Sequence, residues 1–171
     1  DKGQYSAVVT DNFVAAHNVA KHYQLEQVDQ IIVVSEPIAN VSTRSARWEG
    51  VTSVYPDAQL VSVPASHMNG EQIYKDLIPY LVPDKRQVIF FFKERLMLEV
   101  LPQLIRHNIL TDTLWITGFS DTKLARELNA NVKLIEQNPF LMGASAAELL
   151  LKKLENHNGT QLEKIVIPAS Y

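Results

Sequence analysis

Residues 115–151 read W-I-T-G-F-S-D-T-K-L-A-R-E-L-N-A-N-V-K-L-I-E-Q-N-P-F-L-M-G-A-S-A-A-E-L-L-L. They combine an apolar strand, a polar loop, a second strand at residues 132–137 and an amphipathic helix without an interruption. In an open α/β sheet, ligands bind at the carboxyl ends of the strands. The polar set Ser120-Asp121-Thr122 directly follows a strand, so we expect it to face a small molecule. This order favours a ligand sensor over a catalyst.

Apolar runs recur along the chain at the length of one strand plus one helix. They begin near Gln30, Gln59, Gln87 and Thr113, at intervals of 29, 28 and 26 residues. Runs such as Ile31-Ile32-Val33-Val34 show no polar alternation, which is typical of parallel strands that are buried on both faces. Helical patterns lie between the runs. The sequence therefore predicts an α/β fold with a parallel sheet and helices on both of its faces.

The remaining elements are predicted from their caps and periodicity. A strand at residues 6–9 leads into a first helix, which Asp11 or Asn12 can cap and whose inner face carries Phe13. Pro102 lies inside the fourth helix, where we expect it to remove a hydrogen bond and bend the helix. The other predicted helices span residues 43–55, 70–81, 94–107 and 139–155, and a closing strand spans residues 164–168.

Composition limits the class of protein. The 171 residues suit one domain, or one lobe and part of another, and no apolar run approaches the roughly 20 residues needed to cross a bilayer. The chain has no cysteine, which excludes disulfides and agrees with a reducing, cytoplasmic location. The net charge of −3 argues against intrinsic affinity for nucleic acid, so another segment would have to contact any DNA.

Several enzyme classes lack their motifs in this sequence. It contains no G-x-S-x-G, no G-x-x-x-x-G-K-[ST], no G-x-G-x-x-G and no H-E-x-x-H. His17 and His22 are five residues apart and would face different sides of a helix, while the other histidines are scattered. We therefore expect a protein without enzymatic activity, cofactor or metal.

Four motifs together carry a family resemblance that covers nearly the whole chain. They resemble the effector-binding region of the lactose-repressor (LacI/GalR) family of bacterial transcription regulators. The motifs are V-T-D-N-F-V-A-A-H-N-V-A-K-H-Y from Val9, R-W-E-G-V from Arg47, T-G-F-S-D-T from Thr117, and I-E-Q-N-P-F-L-M-G from Ile135 followed by A-A-E-L-L from Ala146.

The resemblance implies a fold like that of the type I periplasmic binding proteins, a Rossmann-like architecture with two lobes and three crossings between them. Residues 1–130 and 161–171 are then expected to form the C-terminal lobe. Residues 131–160 would be a hinge strand and a helix of an N-terminal lobe that is otherwise missing. The apolar stripe of this helix would lack its cover, at roughly 25 cal/mol per Å² of apolar surface left in water, so we expect it to pack on another copy or to shift. The family also implies a homodimer and a DNA-binding headpiece outside this chain.

The family pattern suggests an effector site. Arg47 matches a position whose guanidinium points into the cleft between the lobes, where its fixed donors can hold a sugar hydroxyl, a carboxylate or a phosphate. Gln137 matches a position near the ligand and the hinge. Lys93 and Ser120 replace the Asn and the first Asp that are common in the family, and Asp121 retains the second Asp. The predicted effector-binding residues are therefore Arg47, Lys93, Ser120, Asp121 and Gln137.

The predicted site residues are compatible with more than one chemical class of effector. The general expectation is a sugar, but Lys93 beside Arg47 makes the site more positive and favours an anionic effector such as a sugar phosphate. Alternatively, Lys93 pairs with Glu94 or Asp121, or the site has degenerated and binds nothing. The separate alternative for Arg47 is a solvated helix residue, and the alternative for Gln137 is hydrogen bonding at the hinge alone.

Two rival classes of function share this kind of fold. A solute-binding protein of a sugar transporter would carry an export signal and no DNA-binding headpiece. A doubly wound enzyme would need a glycine in a cradling loop after its first strand, and Val9-Thr10-Asp11-Asn12 offers none.

Overall fold

The structure is a computed structural model that describes residues 5–120, 122, 124–129, 132–155 and 162–171. Along the chain, the described strands and α-helices are β1 (Ala7–Thr10), α1 (Asn12–Leu25), β2 (Gln30–Ser35), α2 (Ser42–Thr52), β3 (Gln59–Ser62), α3 (Gly70–Leu77), β4 (Gln87–Phe91), α4 (Glu94–Arg106), β5 (Leu114–Phe119), α5 (Leu124–Leu128), β6 (Val132–Ile135), α6 (Pro139–Glu155) and β7 (Lys164–Ile167).

The main sheet is parallel throughout and has the strand order β3-β2-β4-β5-β6. Val33 of β2 is in register with Leu60 on one side and with Phe90 on the other. The four apolar residues of β2, residues 31–34, are fully buried. This explains why the strand has no polar alternation, since both of its faces are covered. The predicted α/β fold with a parallel sheet is confirmed.

Helices cover both faces of the main sheet, as predicted. Ile31 and Val33 face a cluster that contains the apolar residues of α1 and α2. Ile32 and Val34 face a larger cluster built with α3, α4 and α5. The alternation of side chains along one strand therefore divides the core into two layers.

A second, two-stranded sheet pairs β1 with β7 in parallel, with Ala7 opposite Lys164 and Thr10 opposite Ile167. Helix α6 contacts both of these strands. The chain passes between the two sheets after β1, after β6 and again after β7. Glu136 and Ser170 exchange two backbone hydrogen bonds of 2.9 Å, which tie the second and third passages together.

The strand pairing differs from the predicted division of the chain into two lobes at β1, β6 and β7. The prediction grouped strand 132–137 with the last helix and left the first and last strands with the main lobe. In the structure, β6 is an edge strand of the main sheet, whereas β1 and β7 leave that sheet and accompany α6. Hydrophobic patterns locate strands along the chain but do not specify their partners, which explains the difference.

Most of the predicted helices occur with small changes in their ends. The side chain of Asp11 caps α1 by accepting a hydrogen bond of 3.0 Å from the Val14 N–H, and Phe13, predicted to face inward, is 40% exposed. The third α-helix ends at Leu77, and a 3-10 turn, Ile78–Tyr80, follows it. Pro102 lies inside α4, and α6 has the predicted bounds.

Helix α6 exposes a large apolar surface. Phe140 is 86% exposed, and Leu150 and Leu151 are 60% and 59% exposed, whereas Leu149 is the buried residue of this helix. In a globular protein, an apolar surface of this kind marks a contact with another surface. Among the residues that the structure describes, no helix, α6 included, is long and apolar enough to cross a membrane.

Candidate effector-binding site

Arg47 of α2 is buried at the carboxyl end of the main sheet, with 9% of its surface exposed. Its Nε donates a hydrogen bond of 2.7 Å to the Asn12 Oδ1, and its Nη1 donates to the carbonyl of Phe92. The guanidinium carbon lies 3.5 Å from the centre of the Phe119 ring. A cation can be buried here because two of its nitrogens donate hydrogen bonds and an aromatic face supports it. The alternative of a solvated arginine is therefore wrong.

Asn12 connects Arg47 with the passages between the sheets. While its Oδ1 accepts from Arg47, its Nδ2 donates a hydrogen bond of 3.1 Å to the carbonyl of Thr10 in β1. The hydroxyl of Thr10 in turn lies 3.4 Å from the Gln137 Nε2 and 3.3 Å from the Met142 sulfur. A continuous chain of contacts thus runs from Arg47 to the first and second passages. The sequence suggested Asn12 only as a possible helix cap, and Asp11 has that role.

Arg47 and Lys93 line one cavity of about 200 Å³ at the carboxyl ends of β2 and β4. The cavity is lined by Ser35, Glu36, Val41, Thr43, Arg44, Arg47, Phe92 and Lys93. Lys93 Nζ lies 3.1 Å from Glu36 Oε1, and Arg44 binds the other carboxylate oxygen of Glu36. In the described residues, the partner of Lys93 is therefore Glu36, which is 57 positions away, and the predicted pairing with Glu94 is wrong.

Ser120 is 2% exposed and serves a contact within the protein. Its Oγ lies 2.6 Å from Glu94 Oε1 and 2.9 Å from the carbonyl of Thr122, and the hydroxyl of Thr122 also donates to Glu94. These bonds hold the loop after β5 against the first turn of α4. Ser120 and Gln137 are not among the lining residues of the 200 Å³ cavity. Asp121 lies outside the described residues.

A second cavity, of about 250 Å³, lies between the two-stranded sheet and helices α1 and α2. Its lining includes Thr10, Asn12 and Lys164, and it shares Thr43 with the first cavity. The two hollows therefore adjoin at the start of α2, on the side where the chain passes between the sheets. Arg47 lines the first cavity and is bonded to Asn12 of the second.

Aromatic side chains hold the third passage against α1. The Tyr171 ring packs edge-on against His22 and Tyr23, at centroid distances of 5.4 and 6.3 Å. Burial raises the pKa of the Tyr23 hydroxyl far above its usual range, and burial also raises the pKa of Tyr171. Both tyrosines therefore stay neutral at physiological pH.

Solved structures of LacI-type regulators are similar to this chain along nearly its whole length. A LacI transcriptional regulator from Lactobacillus brevis is 32% identical, with a TM-score of 0.86 over 99% of this chain and 65% of the other. A LacI family regulator from Enterococcus faecalis V583 with bound ribose is 23% identical, with a TM-score of 0.82 over 99% of this chain and 62% of the other. A regulator from Enterococcus faecium, also with bound ribose, is 20% identical, with a TM-score of 0.81 over 99% and 64%.

No protein-family model matches the chain, and no curated protein does. The parallel sheets and their helices form an α/β domain of the periplasmic-binding-protein type. In sequence and fold, the chain resembles the LacI transcriptional regulators. It spans just under two thirds of the length of the solved regulator from Lactobacillus brevis.

Proposed function

We propose that this chain is the effector-sensing part of a DNA-binding regulator, and that a sugar or a related small metabolite binds in the cleft between two lobes. The observation that carries the proposal is the placement of Arg47. Its guanidinium is buried at the carboxyl end of a parallel sheet, where such folds bind ligands, and it lines a cavity there. Arg47 and Lys93 would contact the effector directly. Gln137 would act at the hinge through Thr10, and Ser120 would shape the wall after β5.

The two sheets correspond to two lobes in this proposal. The main sheet is the core of the C-terminal lobe, and β1, β7 and α6 are parts of the N-terminal lobe. The rest of that lobe, contributed by other segments of a longer protein, would cover the apolar surface of α6. The three passages between the sheets would then be the hinge.

The regulator would respond by a shift between two lobe arrangements. An effector that binds one arrangement more tightly than the other changes the relative angle of the lobes, and equal affinity for both would change nothing. In a homodimer, this angle sets the spacing of two DNA-reading headpieces, which are located outside this chain. The proposed protein is not an enzyme, and it acts in the cytoplasm because its operator DNA is there.

A binding experiment with the full-length protein tests this function. Fluorescence anisotropy with DNA from the protein's own promoter region should give a dissociation constant that changes at least about tenfold when ribose, glucose or one of their phosphate or acid derivatives is added. A scrambled DNA of equal length is the control. Ligand binding without any DNA binding would instead favour a transport-associated binding protein. DNA affinity that no such ligand changes would contradict the sensing role.

The proposed lobe division predicts the effect of a charge on α6. In the full-length protein, Leu151→Lys should lower the free energy of unfolding by about 2 kcal/mol or more, because the rest of the N-terminal lobe would bury a leucine that is exposed here. Leu25→Lys, at the end of α1, is the matched control, since Leu25 is 75% exposed and lies on the main lobe. Equal effects of the two substitutions in urea denaturation would contradict the division.

A further inference from the structure

The amino-terminal ends of two helices open into the 200 Å³ cavity. The N-cap residues of α2 and α4 are Val41 and Lys93, and neither side chain makes a capping hydrogen bond. Both residues line the cavity. The first N–H groups of a helix carry a partial positive charge and favour an anion. Two helix ends therefore contribute the same sign of potential to one small space.

The charged side chains of the cavity add to this potential. Arg44, Arg47 and Lys93 line it together with one carboxylate, that of Glu36. Glu36 bridges Arg44 and Lys93 by its two oxygens. The lining residues of the cavity therefore carry three positive charges and one negative charge. The Lys93 side chain is 51% exposed, and its ammonium has three donors, of which the contact with Glu36 uses one.

Ser35 provides an independent indication of a ligand. It is 1% exposed, it lies at the end of β2, and it lines the same cavity. Its Oγ is buried and has no hydrogen-bond partner among the described residues. Such a group costs about 1–3 kcal/mol when it stays unsatisfied, so an orphan hydroxyl in a native protein calls for an explanation. A ligand oxygen in the cavity would accept a hydrogen bond from this hydroxyl.

We propose that this cavity binds the anionic group, a carboxylate or a phosphate, of the effector. The inference rests on the proposed function and specifies the chemical class of its ligand. Lys93 and Arg44 supply charge-assisted hydrogen bonds, the helix ends supply N–H donors, and Ser35 supplies a neutral donor from the end of β2. Glu36 holds the two cations in place and limits the excess of positive charge.

Calorimetry of the full-length protein with matched ligands tests the proposal. Each set contains a neutral sugar, its phosphate and its acid: ribose, ribose 5-phosphate and ribonate, and glucose, glucose 6-phosphate and gluconate. At constant ionic strength, one anionic member of a set should bind at least about tenfold more tightly than its neutral parent, because charge-assisted hydrogen bonds are about twice as strong as neutral ones. The phosphate and acid arms distinguish the two anions.

Two substitutions with opposite expected signs separate a charge effect from structural damage. Lys93→Gln should weaken binding of the preferred anionic ligand by about tenfold, whereas Glu36→Gln should strengthen it, because the second change removes the only carboxylate among the lining residues. Binding of the neutral parent should change less than binding of the anionic ligand in both variants, because the neutral parent lacks the charge that each substitution affects. Lys85→Gln is the control and should change the affinity for neither ligand. Lys85 is exposed and precedes β4, at the end of that strand opposite to the cavity.

The outcomes separate this proposal from the proposed function. Neutral parents that bind as tightly as both anionic forms, or weakening by Glu36→Gln equal to that by Lys93→Gln, would overturn the anion site and leave the sensing role intact. A protein that binds no member of either set would overturn both. Retention of the anion preference in Lys93→Gln and in Ser35→Ala would also overturn the site, since its two distinctive donors would then be dispensable.

Discussion

Gly50→Ala should lower the free energy of unfolding by about 3 kcal/mol, as measured by urea denaturation followed by circular dichroism. A Cβ at this position would lie 2.5 Å from the Phe13 carbonyl oxygen and 3.0 Å from both the Ala16 Cβ and the His17 nitrogen. These are backbone and core atoms that cannot move without separating α1 from α2. Because Gly50 lies one turn after Arg47, the substitution should also weaken effector binding.

Gly143→Ala is the matched control, since it is the same change inside another helix. Among the described residues, a Cβ at Gly143 would meet nothing within 4 Å beyond the adjacent residues and backbone of its own helix, so alanine should raise the stability of α6 by about 1 kcal/mol through its higher helix propensity. Opposite signs for the two substitutions would show that close helix packing, and not helix propensity, requires Gly50. Similar effects at both positions would contradict this account.

Arg47→Lys should weaken effector binding by about thirtyfold or more while the net charge stays the same. Lysine lacks the planar fork that reaches Asn12 and Phe92 at once, and its ammonium cannot stack on Phe119 as a guanidinium does. The measurement is calorimetry of the full-length protein with its preferred ligand from the ribose and glucose sets. A parallel thermal melt reports how much stability is lost.

Arg95→Lys provides the control for this prediction. Arg95 is exposed on α4 and does not line the effector cavity, so its replacement should leave the affinity within about twofold. If Arg47→Lys also retained affinity, Arg47 would be a structural residue of the α1–α2 interface and not a binding residue. If both variants lost affinity equally, the effect would be one of general charge or stability.

The strands of the main sheet could be predicted because a strand that is buried on both faces is a run of consecutive apolar residues. Runs such as residues 88–92 contain only apolar residues, and their spacing allows one helix between each pair. Helix α5 was not predicted, since its five residues, Leu124–Leu128, are too few to show a helical period. The partnership of β1 with β7 was also missed, because their pairing depends on contacts between residues 157 positions apart.

Much of the candidate site could not be derived from sequence alone. Arg47 was suggested by its motif, but Glu36, Arg44 and Ser35 enter the cavity from separate segments that only the fold brings together. The predicted role of Ser120 assumed that its hydroxyl faces a ligand, whereas it contacts Glu94 from α4. A turn residue next to a strand can point to either side, and the sequence does not specify which.

The bonds from Arg47 through Asn12 to Thr10 and Gln137 have a thermodynamic consequence for the proposed regulator. If the guanidinium of Arg47 moves towards a ligand, either Asn12 moves with it or the hydrogen bond between the two residues breaks. Either event changes the contacts of the first and second passages between the sheets. Ligand binding in the cavity and the relative arrangement of the two lobes are then parts of one coupled equilibrium. Reciprocity requires the operator to change the affinity for the metabolite by the same factor by which the metabolite changes the affinity for the operator.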